Sequence, residues 1–107
     1  MYNIFTPADI LGNSATFDKL FHGWRNETAG HSSPESIVLN DNYLRIIAMG
    51  EAAIPLLLEE LKKKPVNIFR ALRVLAHHDP IKPEDEGNIN KMAKAWLDWG
   101  RENNLIK

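Results

Sequence analysis

Apolar side chains along this chain recur at helical rather than strand spacing. In SATFDKLFHGWRNETAG, Phe17, Leu20, Phe21 and Trp24 fall at i, i+3, i+4 and i+7, which is one face of a helix. In EAAIPLLLEELKKKP, Ile54, Leu57, Leu58 and Leu61 repeat that spacing, with Glu59, Glu60, Lys62 and Lys63 largely off the stripe. IFRALRVLAHH turns Ile68, Ala71, Leu72 and Leu75 inward and leaves Arg70 and Arg73 mostly outward. NYLRIIAMG groups Tyr43, Ile46 and Ile47, and INKMAKAWLDWGREN groups Ile89, Met92, Ala93, Trp96 and Trp99 on one broad face. No stretch of useful length alternates every second residue, as a half-buried strand would. The pattern predicts an all-α chain of about six helices.

Start and stop signals divide the pattern. FTPADILG reads as a Thr6 cap, Pro7 at the first helical position and Gly12 past the end, with Phe5 and Ile10 spaced as a hydrophobic staple. Ser14 or Thr16 then caps the Phe17–Trp24 helix, and Gly30 ends it. SSPESIVLND repeats the Ser-Pro start and predicts a short helix ending near Asn40, after which Asp41 caps the next helix and Gly50 closes it. Pro55 allows regular helix to begin only a residue or two before it, and Pro65 stops that helix. Asn67 and Asn88 are the expected caps of the last two helices, and Leu105 and Ile106 can fold back onto the core. The expected organisation is a short arm or helix over residues 1–13 and a single all-α domain over 14–107.

Composition narrows the class. Of 107 residues, 44% are hydrophobic and 25% charged, the balance of an ordinary globular protein. No apolar run approaches the roughly 20 residues that span a bilayer, so no membrane partner is expected. Residues 1–12 lack a basic start and a long apolar centre, so no signal peptide is expected. The absence of cysteine excludes disulfides, thiol catalysis and thiolate metal sites, and makes a reducing cytoplasm the default location. A net charge of −1 gives no global drive toward nucleic acid, so electrostatic binding must come from a local patch.

The stretch YLRIIAMGEAAIPLLLEELKKKPVNIFRALRVLA, residues 43–76, resembles a HEAT-type helical repeat. The likeness lies in Gly50, then Ala53, Ile54, Pro55, Leu57, Leu58 and Leu61, then Ala71 and Leu72. It implies an antiparallel helical pair that presents a surface to a protein, sometimes to nucleic acid, and it implies no catalytic residue. Only about one and a half units are present, and an isolated repeat cannot bury its own faces. Flanking helices bearing Trp24, Trp96 and Trp99 are therefore expected to close a compact bundle around the pair. More loosely, the full chain, with its WLDWGRENNLI ending, looks like small bacterial proteins that carry no assigned activity.

Candidate chemistry is sparse. In RALRVLAHHDP, His77 and His78 are adjacent and so point about 100° apart on a helix, whereas paired metal-binding histidines sit at i and i+4. Asp79 precedes Pro80, which takes it out of helical space. The stretch reads as the end of a helix. Glu84, Asp85 and Glu86 lie among Pro and Gly and read as solvated, and no nucleophile elbow or phosphate loop is present. No enzyme activity, metal or cofactor is expected.

The remaining signal is charge. Lys62, Lys63, Lys64, Arg70 and Arg73 fall around one helix junction with no acid between them, while Asp79 to Glu86 is acidic. Such a polarised domain suits contact with another protein that is acidic at the interface, and self-association. Phe69 sits beside Ile68 but off the Ala71/Leu72/Leu75 stripe, so it is either an exposed anchor or a core residue. The expected function is a non-enzymatic protein-interaction module, in the setting of a small accessory or neutralising, antitoxin-like subunit. The alternative is a nucleic-acid-binding accessory protein that uses the same basic junction on phosphates.

Overall fold

The computed structural model describes residues 7–30 and 39–107, with side chains from residue 13 onward in the first stretch. Its regular structure is helical, and among the described residues there is no strand. Among the described residues the α-helices are α1 (Pro7–Thr28), α2 (Asp41–Ala48), α3 (Ala53–Lys63), α4 (Phe69–Ala76) and α5 (Ile89–Glu102). Short 3-10 turns at Gly50–Ala52 and Pro83–Asp85 precede α3 and α5. The expected helix within SSPESIVLND, the Thr6 cap and the Phe5–Ile10 staple lie outside the described residues or side chains. The chain forms two compact units, Met1–Met49 and Gly50–Lys107.

In the first unit the two helices anticipated on either side of Gly12 are one. α1 runs 22 residues without a break, about 33 Å at the helical rise. A glycine inside a helix costs about 1 kcal/mol relative to alanine but leaves every backbone hydrogen bond possible, and no proline follows to stop the helix. Ser14 and Thr16 are therefore interior residues, not caps. Phe17, Phe21 and Trp24 form the predicted buried stripe, and Leu20 at its edge is half-buried. Their rings make a ladder: Phe17 stacks on Phe21 at 5.5 Å, Phe21 tilts against Trp24 at 5.7 Å, and Trp24 meets Tyr43 of α2 at 5.3 Å. Thr28 Oγ1 donates to the Trp24 carbonyl, and Gly30, at φ +84°, ends the helix as expected.

The cap of α2 is Asn40, not Asp41. The Asn40 side-chain oxygen accepts the Asn42 N–H at 2.9 Å, while its Nδ2 donates to Glu27 of α1 at 2.9 Å. Asn42 Nδ2 also reaches Glu27, at 3.1 Å. Asn40 thus satisfies a free helix donor and ties two helices together, while Asp41 in the first turn complements the helix dipole. Gly23 lets the helices come this close, because a Cβ there would sit 2.8 Å from Asn42 Nδ2.

In the second unit α3 packs on α4, on α5 and on the 3-10 turn that precedes it. Ile54, Leu57, Leu58 and Leu61 are buried as the spacing predicted, and Pro55 falls in the first turn, where its missing N–H had no partner to lose. α4 begins one residue later than Asn67 would set it. The Ile68 N–H donates to the Val66 carbonyl at 2.9 Å, a tight turn that sinks Ile68 into the core and leaves Asn67 exposed. Its other end is the His77 turn, with His77 left-handed at φ 53°. Asn88 caps α5 by accepting the Lys91 N–H at 3.1 Å, as expected. Ile89, expected inward, is exposed in the first turn of α5.

α5 ends in a paired turn. Asn104 N–H donates to the Arg101 carbonyl at 3.1 Å and Leu105 N–H to the Gly100 carbonyl at 2.8 Å, the two bonds of a Schellman motif with Asn104 left-handed at φ 58°. This turn brings Ile106 back into the core, as anticipated, with Leu105 half-buried. The side chain meets Gly100, where a Cβ would lie 2.7 Å from Leu58 Cδ1 and 3.2 Å from Ile106 Cγ1. Among the described residues every buried side chain is apolar or aromatic. Trp96 Nε1 is fully buried and has no hydrogen-bond partner among them.

Candidate functional site

The second unit carries both regions where recognition chemistry gathers. The first is the basic junction. Lys62 Nζ lies 3.4 Å from Glu59, and Lys63 Nζ lies 3.1 Å from Glu60, one turn back on α3. Exposed pairs of this kind are worth about 0–1 kcal/mol, yet each brings a carboxylate beside its lysine and dilutes the local potential. Arg73 Nη1 lies 3.7 Å from Asp79 Oδ2, so the basic helix and the acidic loop after it touch rather than form opposite poles. Lys64 and Arg70 are exposed and have no ion pair among the described residues.

Phe69 is 3% exposed and belongs to the core, which removes it as an anchor. It opens α4 beside Ile68, and the tight turn at Val66 carries both side chains inward together. Val74 is the apolar residue that α4 does present, at 47% exposure. It stands on the outward stripe of Arg70, Arg73, Val74 and His77, the reverse of Ala71, Leu72 and Leu75. That position was readable from helical spacing once α4 had been placed.

The second region is a groove of about 700 Å³. One wall is the stripe of α5 that carries Lys91, Lys94, Asp98, Trp99 and Glu102. The other is the loop after α4, with His78, Lys82, Glu84 and Asp85. Trp99 is half-buried rather than enclosed, which corrects the expectation that all three tryptophans are spent in closing a core. Its ring meets fully buried Trp96 edge to face at 5.2 Å and stacks with exposed His78 at 6.0 Å, 25° from parallel. No local motif announces this groove, because it joins residues 78 to 102 through the turn between two helices.

Several of its charges are already matched. Lys94 Nζ holds Asp98 at 2.6 Å, Arg101 approaches the same carboxylate at 3.6 Å, and Lys91 lies 3.9 Å from Asp85. Lys82, Glu84 and Glu102 have no ion pair among the described residues. The sequence RALRVLAHHDP is mostly punctuation here: His77 terminates α4, and Asp79 Oδ1 accepts the Ile81 N–H at 3.0 Å across Pro80. His78 is the exception, since it reaches Trp99. Among the described residues no three His, Asp or Glu side chains gather as metal ligands, and no helix is long and apolar enough to cross a membrane.

No protein-family model, curated protein or solved structure matches this chain. The HEAT likeness therefore rests on its own residues.

Proposed function

We propose that this protein is a non-enzymatic interaction module that docks a protein partner on the outward face of α4. The observation that carries this reading is Val74, half-exposed one turn from Arg70, which has no ion pair among the described residues. An exposed apolar side chain flanked by arginines is the composition of an interface anchor, since burying it on contact is favourable and arginine adds directional hydrogen bonds. Lys64, exposed and without an ion pair among the described residues, joins Arg70 in favouring a partner acidic at the contact, while Lys62 and Lys63 carry their carboxylate partners with them. The HEAT-like residues of α3 and α4 support it, because that family presents such pairs to partners. The lack of cysteine fits a cytoplasmic setting.

The test is photo-crosslinking in the cells that make the protein, with wild type compared against Arg70→Glu and Val74→Asp and with exposed Asn90→Asp as control. Loss of the same crosslinked protein in both variants, by about ten-fold, is the expected result. A pattern that both variants leave intact places the interface elsewhere. A salt-sensitive gel shift of random duplex or single strand, lost in Arg70→Glu, would make phosphate the partner instead.

A further inference from the structure

The groove beside Trp99 uses other residues than the α4 face and has a chemistry of its own. Its lysines and acids cancel in pairs at Lys94–Asp98 and Lys91–Asp85. Lys82 and Glu84, two residues apart and neither with an ion pair among the described residues, offset one another locally. Arg101 is directed to Asp98, and the carboxylate of the α5 wall with no ion pair among the described residues is Glu102, one turn beyond Trp99 on the same stripe. A half-buried indole that lines a groove beside a carboxylate with no ion pair among the described residues is a receptor for a cation with a flat, weakly hydrated body. The ring attracts the charge, and the carboxylate completes a charge-assisted hydrogen bond. Guanidinium meets both demands better than ammonium, because it is planar, stacks on aromatic rings and presents a fork of donors. His78 already lays a flat nitrogen ring on Trp99 from an exposed position, and it is the group that such a ligand displaces.

The groove is elongated, bounded along one side by α5. From Lys91 to Glu102 the α5 wall extends about 16 Å at the helical rise, the length of about five extended residues. We propose that this groove takes an extended segment of a partner protein, with an arginine laid on Trp99 and paired with Glu102.

The full chain is tested in solution with a blocked pentapeptide that has arginine at the centre of glycine and alanine. The indole N–H resonance of Trp99, assigned by its loss in Trp99→Phe, reports the site. A saturable shift of that resonance is expected at millimolar peptide, with Trp24 unmoved. The citrulline twin, equal in shape and uncharged, should give none. Glu102→Gln should weaken binding by about five-fold, and His78→Ala, which removes the competing ring, should strengthen it. The proposal is overturned by the absence of a saturable shift, by an equal response to the citrulline peptide, or by unchanged affinity in Glu102→Gln. Methylguanidinium binding as tightly as the pentapeptide would overturn the assignment to a protein segment. Neither Glu102 nor Trp99 belongs to the α4 face, so these outcomes leave the crosslinking result to be judged separately.

Discussion

The two units use aromatic rings at the same helical spacing to different ends. Phe21 and Trp24 in the first unit stand three residues apart, as Trp96 and Trp99 do in the second, and both pairs meet at 5–6 Å. In the first unit the row continues into Tyr43 of the neighbouring helix, so Trp24 is enclosed on a second side and only 3% exposed. In the second unit the row stops at Trp99, whose next neighbour is an exposed histidine on a loop. Helical spacing therefore assigns a ring to a face, while the last partner in the row decides whether that ring becomes glue or surface.

The sharpest way to break this comparison is truncation. Trp24→Ala and Trp96→Ala should each cost about 3–5 kcal/mol in denaturant unfolding, and Trp99→Ala less than either, because its side chain is only half-buried. Equal losses at Trp96 and Trp99 would return Trp99 to the core.

The glycines give the next contrast. Gly100→Ala forces a methyl group against Leu58 and Ile106, both buried, and should cost about 1–3 kcal/mol. Gly23→Ala meets only the amide end of a half-buried Asn42, which can swing aside. A gain of about 1 kcal/mol in helix propensity should offset the loss of the Asn42–Glu27 hydrogen bond, leaving stability nearly unchanged. Thermal unfolding of the two variants reads the difference directly.

Helix ends supply the smaller effects. Asn40→Ala should cost about 1–2 kcal/mol and Asn88→Ala about 1 kcal/mol, since the first removes both a cap and a link to Glu27 and the second removes a cap alone. His77→Gly should stabilise by about 1 kcal/mol, because histidine occupies a left-handed position there that glycine adopts without strain. A loss of stability in that variant would mean that the His77 side chain contributes a contact worth more than the strain.

These contrasts also mark how far the sequence could be read. The stripes Phe17–Phe21–Trp24, Ile54–Leu57–Leu58–Leu61 and Ala71–Leu72–Leu75 were legible because burial follows helical period, which is a local property. Boundaries were less legible. Asn40 and Asp41 are both good caps, and the choice between them was made by Glu27, thirteen residues away from Asn40. Asn67 lost its expected role to the burial of Ile68, where a core contact outweighed a capping preference. Of the anticipated binding residues, the lysines and arginines emerged on the surface because charge reliably stays in water. Phe69 did not, since its side chain follows the turn that buries Ile68. The groove was invisible because its walls come from segments joined only by the tertiary fold.

Trp96 carries one more consequence. Its indole proton is buried, with no hydrogen-bond partner among the described residues, so its exchange for deuterium waits on opening of the second unit. That single atom is a built-in clock for opening of residues 50–107, and the buried Trp24 offers the counterpart for residues 1–49. Timing both in one sample would show whether the two halves of the chain let go together or each at its own rate.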